Sequence, residues 1–177
     1  MNIAESKKQN NISEYIIHMY QTEDLIRVYE FDIELVKQYV IKHFPVSDEE
    51  KAEMTQWYVQ LMEQMNEEGI KERGHLSSVQ TYVAQLSELM TLLQSEDDEF
   101  TKIYKNAEPY IKEYIELAEG AITDEVQLCL NGIYGLLLAR MNGKQVPEEV
   151  MPGINAFGDI LSYLSYKYKQ KNFLNKN

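Results

Sequence analysis

A single cysteine, Cys129, occurs in 177 residues. That excludes a disulfide framework and any zinc site built from several thiolates. Glycine and proline are also scarce, with 8 and 4 residues beside 44% hydrophobic content, a balance that fits an ordered helical chain and not a disordered one. Basic residues are the minority, 17 against 29 acidic, for a net charge of −12. Duplex nucleic acid is bound by neutralising phosphates with Lys and Arg, so this chain is not expected to bind it. Long apolar runs are missing too. The most apolar stretch, Val126 to Ala139, is uncharged for only 14 residues, short of the roughly 20 that a membrane-spanning helix requires. No apolar segment follows Lys7 and Lys8, so no secretory signal peptide is expected and the cytoplasm is the expected location. Neither a phosphate-binding glycine loop nor a dinucleotide or Gly-x-Ser-x-Gly fingerprint is present.

What the chain does have is helical periodicity. Ile12, Tyr15, Ile16, Met19 and Ile26 recur at the spacing of one helix face. Asp32 can cap a short helix carrying Ile33, Val36, Val40 and Phe44, ended by Pro45. Ser47-Asp-Glu-Glu50 is a capping box opening a stripe from Met54 to Met65, with Gly69 placed to close it in a left-handed conformation. After Gly74 a stripe runs from Leu76 to Leu93, and Ser95 can cap another from Phe100 to Ala118. Pro109 falls inside the latter, but the stripe keeps its phase, so a kink is expected and not a break. Thr123 can cap the apolar stretch, and Pro147 suits the first turn of a last helix reaching Tyr168.

No strand-like alternation, fixed-period repeat or Gly/Ser-rich linker interrupts the pattern. The expected fold is all-α, one domain over residues 1–177 with frayed last residues. It is a bundle of about seven helices around Val126–Ala139, whose Leu130, Ile133 and Leu137 should be buried.

Several segments resemble a family of uncharacterised bacterial proteins of about this length. They are Met1-Asn-Ile-Ala-Glu5, Tyr15 to Arg27, Phe31-Asp32, Glu68 to Leu76 and Ile133 to Leu137. The family is a domain of unknown function seen mainly in Bacteroides-type bacteria. The resemblance spans Asn2 to about Tyr166 and implies an all-helical cytoplasmic protein, with no catalytic residue to carry over. Tyr20 stands where the family commonly has tryptophan.

Glu23 interrupts the first stripe, in line with Ile16 and Ile26. A carboxylate there must be partly buried and needs a cation or hydrogen-bond donors. Arg27, one turn on, and Arg140, at the end of the apolar helix, are the expected partners. Asp24 completes a candidate polar cluster of Glu23, Asp24, Arg27 and Arg140. Buried charges are paired far more often than they are catalytic, so a structural role is expected, with a polar ligand cleft as the alternative. Glu72-Arg-Gly-His75 has the Glu-x-x-His spacing of di-metal bundles, but those need two such motifs on helices. Only His18 and His43 remain, and neither has a glutamate three residues before it. No metal and no cofactor is expected, and His75 is read as a loop or helix-start residue. Cys129, without a basic neighbour in sequence, reads as a packed thiol.

Thirteen tyrosines and eight methionines lie mostly on the stripes and serve packing. Gly132 and Gly135 are expected to be packing notches. Ser47 to Phe100 holds 13 acidic and 3 basic residues, hence −10 of the total −12. Tyr166 to Lys171 interleaves aromatic and basic residues and could meet another subunit's acidic face. Residues for packing are abundant and residues for chemistry sparse. The expected function is therefore a non-enzymatic protein-interaction or scaffold module that binds an unknown protein partner, with self-association one form of it. A small-molecule-binding or metal-dependent helical-bundle enzyme is the alternative.

Overall fold

Capping residues fix where the helices begin. In the computed structural model, which describes residues 2–174, Asn2, Asn11, Asp32, Ser47, Asp97 and Asp124 each accept a backbone N–H in the first turn of a helix. They open α1 (Ile3–Asn10), α2 (Ile12–Val28), α3 (Ile33–Tyr39), α4 (Asp48–Glu67), α6 (Asp98–Leu117) and α7 (Glu125–Met141). The other two helices, α5 (Ser77–Glu96) and α8 (Met151–Lys169), start without a side-chain cap. Ser47 and Glu50 form the reciprocal capping box. Gly69, with φ of 69°, and Gly120, with φ of 86°, follow α4 and α6 in the left-handed region.

Among the described residues eight α-helices therefore stand where about seven were expected. The extra one, α1, is short and opens on Asn2; Asn11, extended at φ of −152°, ends α1 and caps α2. Two caps lie one or two residues from the expected positions, at Asp97 and not Ser95, and at Asp124 and not Thr123. The carboxylates take the positions at the helix dipole that the hydroxyls were expected to fill. One helix, α6, runs unbroken through Pro109. Pro147 precedes a single 3-10 turn, Glu148–Val150, and Pro152 sits in the first turn of α8. Among the described residues no strand occurs, and no helix is long and apolar enough to cross a membrane. The expected fraying falls largely on residues 175–177, outside the described residues.

The expected central helix, α7, packs on α2, α5, α6 and α8, but it shares that place with two other helices: α2 packs on α1, α4, α5, α7 and α8, while α8 packs on α2, α5, α6 and α7. They meet at small residues, where the Ser13 and Ser165 hydroxyls are 2.6 Å apart and buried. Ile16, Ile160 and Leu164, within five residues of that serine pair along the two helices, are fully buried, each worth about 1.5–3 kcal/mol by transfer from water. In α7 the first half is buried, with Val126, Cys129 and Leu130 at 0% exposure. Past Tyr134 its residues are half-buried or exposed. Leu130 is buried as expected, whereas Ile133 and Leu137 are only half-buried. An uncharged sequence permits burial, but the C-terminal half of α7 packs only partly against the core, through Ile133, Leu137 and Leu138.

Candidate functional site

Glu23 has no exposed surface, and its partners come from the connector between α4 and α5. His75 Nδ1 lies 2.7 Å from Oε2, and the Leu76 backbone N–H donates to Oε1 at 3.0 Å. Leu76 is the residue before α5, so the carboxylate sits against an unfilled helix N-terminus, where negative charge is favoured. The His75 ring lies flat on Tyr20, with centroids 3.6 Å apart and planes 16° apart.

From Tyr20 the network continues through amides. The Tyr20 hydroxyl donates to Gln80 Oε1 at 2.6 Å and accepts from Gln127 Nε2 at 3.1 Å. Gln127 also accepts from Gln80 at 2.8 Å and donates to Asn131 at 3.0 Å. Burial pushes the Tyr20 phenol up to about 12, against the bonds from Gln127 and Gln80, which lower it.

Asp24, one residue along α2, belongs to a second branch. It accepts from the Tyr134 hydroxyl at 2.5 Å and from Arg27 Nη1 at 2.9 Å. Burial first, and then Asp24, raises the Tyr134 phenol above its ordinary value. Arg27 Nη2 donates to the carbonyls of Ile70 at 3.0 Å and Gly74 at 2.6 Å, while its buried Nε has no partner. Glu68 holds the same connector from its other end, accepting from the Ser77 backbone N–H and hydroxyl.

The expected cluster of Glu23, Asp24, Arg27 and Arg140 is thus only partly assembled. Glu23 is buried as its place in the stripe requires, but Arg27 pairs with Asp24 and not with Glu23. The carbonyls of the 70–74 turn draw the guanidinium to Asp24's side, and the mouth of α5 supplies Glu23 with donors instead. Arg140 is exposed, and its side chain has no ion-pair partner among the described residues. His75, Tyr20, Gln80, Gln127 and Tyr134 had not been expected at the site. One signal for them lay in the sequence: Gln127 and Asn131 are one turn apart in an otherwise apolar helix, which puts two amides on one inward face.

Chemically, the arrangement holds charge in place. A glutamate on His75 Nδ1 orients the ring as the carboxylate of a Ser-His-Asp triad does, and among the described residues no serine, threonine or cysteine side chain bonds to that ring. The Cys129 thiol is fully buried, and that burial raises its pKa. Among the described residues no group of three His, Cys, Asp or Glu side chains could hold a metal. His18 lies beside Trp57, His43 is in an exposed 3-10 turn, and Glu72 is in the connector and not on a helix. At the C-terminal basic segment Tyr168 is buried, Lys167 reaches Asp97 at 3.0 Å and Lys169 reaches Asn10 at 3.3 Å, so much of it is engaged within the chain.

A second candidate surface lies where α7 emerges. An apolar groove of about 350 Å³ is lined by Gly132, Gly135, Leu136, Val146, Val150 and Ile154, among others. The two glycines differ. A Cβ on Gly132 would stand 2.8 Å from the Phe157 ring, so Gly132 is a packing notch; one on Gly135 would meet nothing within 4 Å. Gly135 is therefore open to the groove, contrary to the expected notch.

No curated protein and no solved structure matches the chain. A family model does, from residue 1 to residue 173, taking in the Glu23 cluster and the groove alike; the chain belongs to the family described as a domain of unknown function, DUF4924.

Proposed function

We propose that the protein is a non-enzymatic interaction module, and that it associates with a second copy of itself through the groove at Gly135. The observation that carries this reading is the apolar groove with an open glycine, Gly135, on its wall. The chain between two of its lining residues, Leu136 and Val150, carries Arg140 and Lys144 and, after them, Glu148 and Glu149. All four charges are exposed, and none has an ion-pair partner among the described residues. A two-fold axis through the groove would set the basic pair of one copy against the acidic pair of the other, as an isologous interface requires. Gly135 lets two helix backbones approach closely at the crossing. The Glu23 cluster supports the same reading from the other side, since its carboxylates are satisfied within the chain and offer a substrate little.

Sedimentation equilibrium over a concentration series tests the proposal. A dimer is expected for the parent chain. The Gly135→Glu variant, which has room for its side chain, is expected to be monomeric with unchanged helical circular dichroism. A parent chain that stays monomeric at about 100 µM, or a Gly135→Glu variant as dimeric as the parent, overturns it.

A further inference from the structure

We propose that the pocket enclosed by α1, α2, α4 and the 44–46 turn is a binding site for an alkylammonium group, such as the head of a small methylated amine. It has a volume of about 120 Å³, several times the roughly 10–15 Å³ that a single water needs by the same measure.

Its walls are aromatic and set at angles. Trp57 stands at 78° to Tyr58, with ring centroids 5.2 Å apart, and at 16° to His18, with centroids 6.4 Å apart. Phe44 from the turn also lines the pocket, as do Val46 and Met54. Faces of this kind carry the negative part of the ring quadrupole and attract alkylated ammonium ions. The rim has the matching sign. Glu50 and Glu53 line the pocket, and no Lys or Arg does. Glu50 is tied to Ser47 by the capping box, whereas Glu53 is exposed and has no ion-pair partner among the described residues.

Tyr58 is only 5% exposed and lines the pocket, and burial alone raises its pKa. His18 adds no positive charge of its own, because burial, followed by Lys7, lowers its pKa from 6.5. Lys7 itself is paired with Glu14 at 3.5 Å and does not line the pocket. This pocket shares no lining residue with the groove at Gly135, so it stands or falls apart from the self-association proposed above.

Trp57 is the only tryptophan, so intrinsic fluorescence reports on the pocket directly, with its indole N–H resonance followed in parallel by NMR. The probes are choline and tetramethylammonium, each against sodium chloride of equal ionic strength. A third probe is the neutral carbon isostere of choline, in which a tert-butyl group replaces the trimethylammonium. Saturable changes are expected with both cations, with the isostere bound about ten-fold more weakly than choline. Glu53→Gln, an exposed change that leaves the fold alone, is expected to weaken choline about three-fold. Absence of saturation below about 10 mM in both signals, equal binding of the isostere, or indifference to Glu53→Gln each overturns the assignment.

Discussion

The N-terminal helix pair and the C-terminal half of α7 reverse the usual assignment of polar and apolar residues. On α2 a glutamate is fully buried; on α7 a glycine of the most apolar stretch is exposed and the leucine beside it only half-buried. The difference lies in what each surface meets. Glu23 meets an open helix N-terminus and an imidazole, which together replace the water it has lost. The end of α7 past Tyr134 is less closely packed, its residues half-buried or exposed up to the turn at Gly143 from which the chain returns along α8. Burial in this bundle follows the partners on offer, and hydrophobicity alone does not decide it.

The sharpest way to break the comparison is at Glu23. Removing the side chain with Glu23→Ala leaves the Leu76 N–H and His75 without their acceptor in a closed interior, and a loss of about 3 kcal/mol is expected. Glu23→Gln keeps an oxygen for Leu76 and should lose less. Urea unfolding of both variants beside the parent measures it. A Glu23→Ala variant within about 0.5 kcal/mol of the parent would mean that the burial is not bearing on stability.

Next in size is the glycine pair of α7. Gly132→Ala forces a methyl against Phe157 and is expected to destabilise by about 1–2 kcal/mol. Gly135→Ala adds a methyl in open space to a helix interior, so the sign reverses, with a gain of about 0.5–1 kcal/mol in protein dilute enough to be monomeric. Two losses of equal size would show that the groove at Gly135 is filled.

Helix phase was legible because every stripe is set by its own few residues. The capping box at Ser47 and the left-handed Gly69 could be read for the same reason: both act within one turn. Helix α1 escaped notice because an eight-residue segment has room for little stripe, although Asn2 and Asn11 were there to mark its ends. At the candidate site, the burial of Glu23 was legible from its position, while its partner was not. His75 is 52 residues away, and nothing local distinguishes an imidazole that packs on Tyr20 from one that faces water. Arg27 was a nearer cation, yet a guanidinium has several donors, and the Ile70 and Gly74 carbonyls that claim them are set by a turn. The same limit applies to α7. Its composition said that it could be buried, and only the return path of the chain says which half is.

The smallest effect sharpens the comparison at the surface, where Asp97 repeats the motif of Glu23 with solvent nearby. Asp97 caps α6, accepting from the Phe100 N–H at 2.9 Å, from the Tyr163 hydroxyl and from Lys167 at 3.0 Å. The Phe100 N–H above all, with help from Lys167 and Tyr163, holds its carboxyl at about 2, below the ordinary 3.8. A folded pKa below the unfolded one means that the unfolded chain takes up the proton first as pH falls. The stabilisation from this charge is therefore complete above about 4, declines as pH drops, and is gone once pH passes below about 2. Asn at the same position can still cap the helix, so Asp97→Asn isolates the charge. The difference in urea midpoint between parent and Asp97→Asn should be constant from neutral pH to about 5 and should narrow toward zero near 2. A difference that persists unchanged into that range would show that Asp97 acts through its shape as a cap and not through its charge.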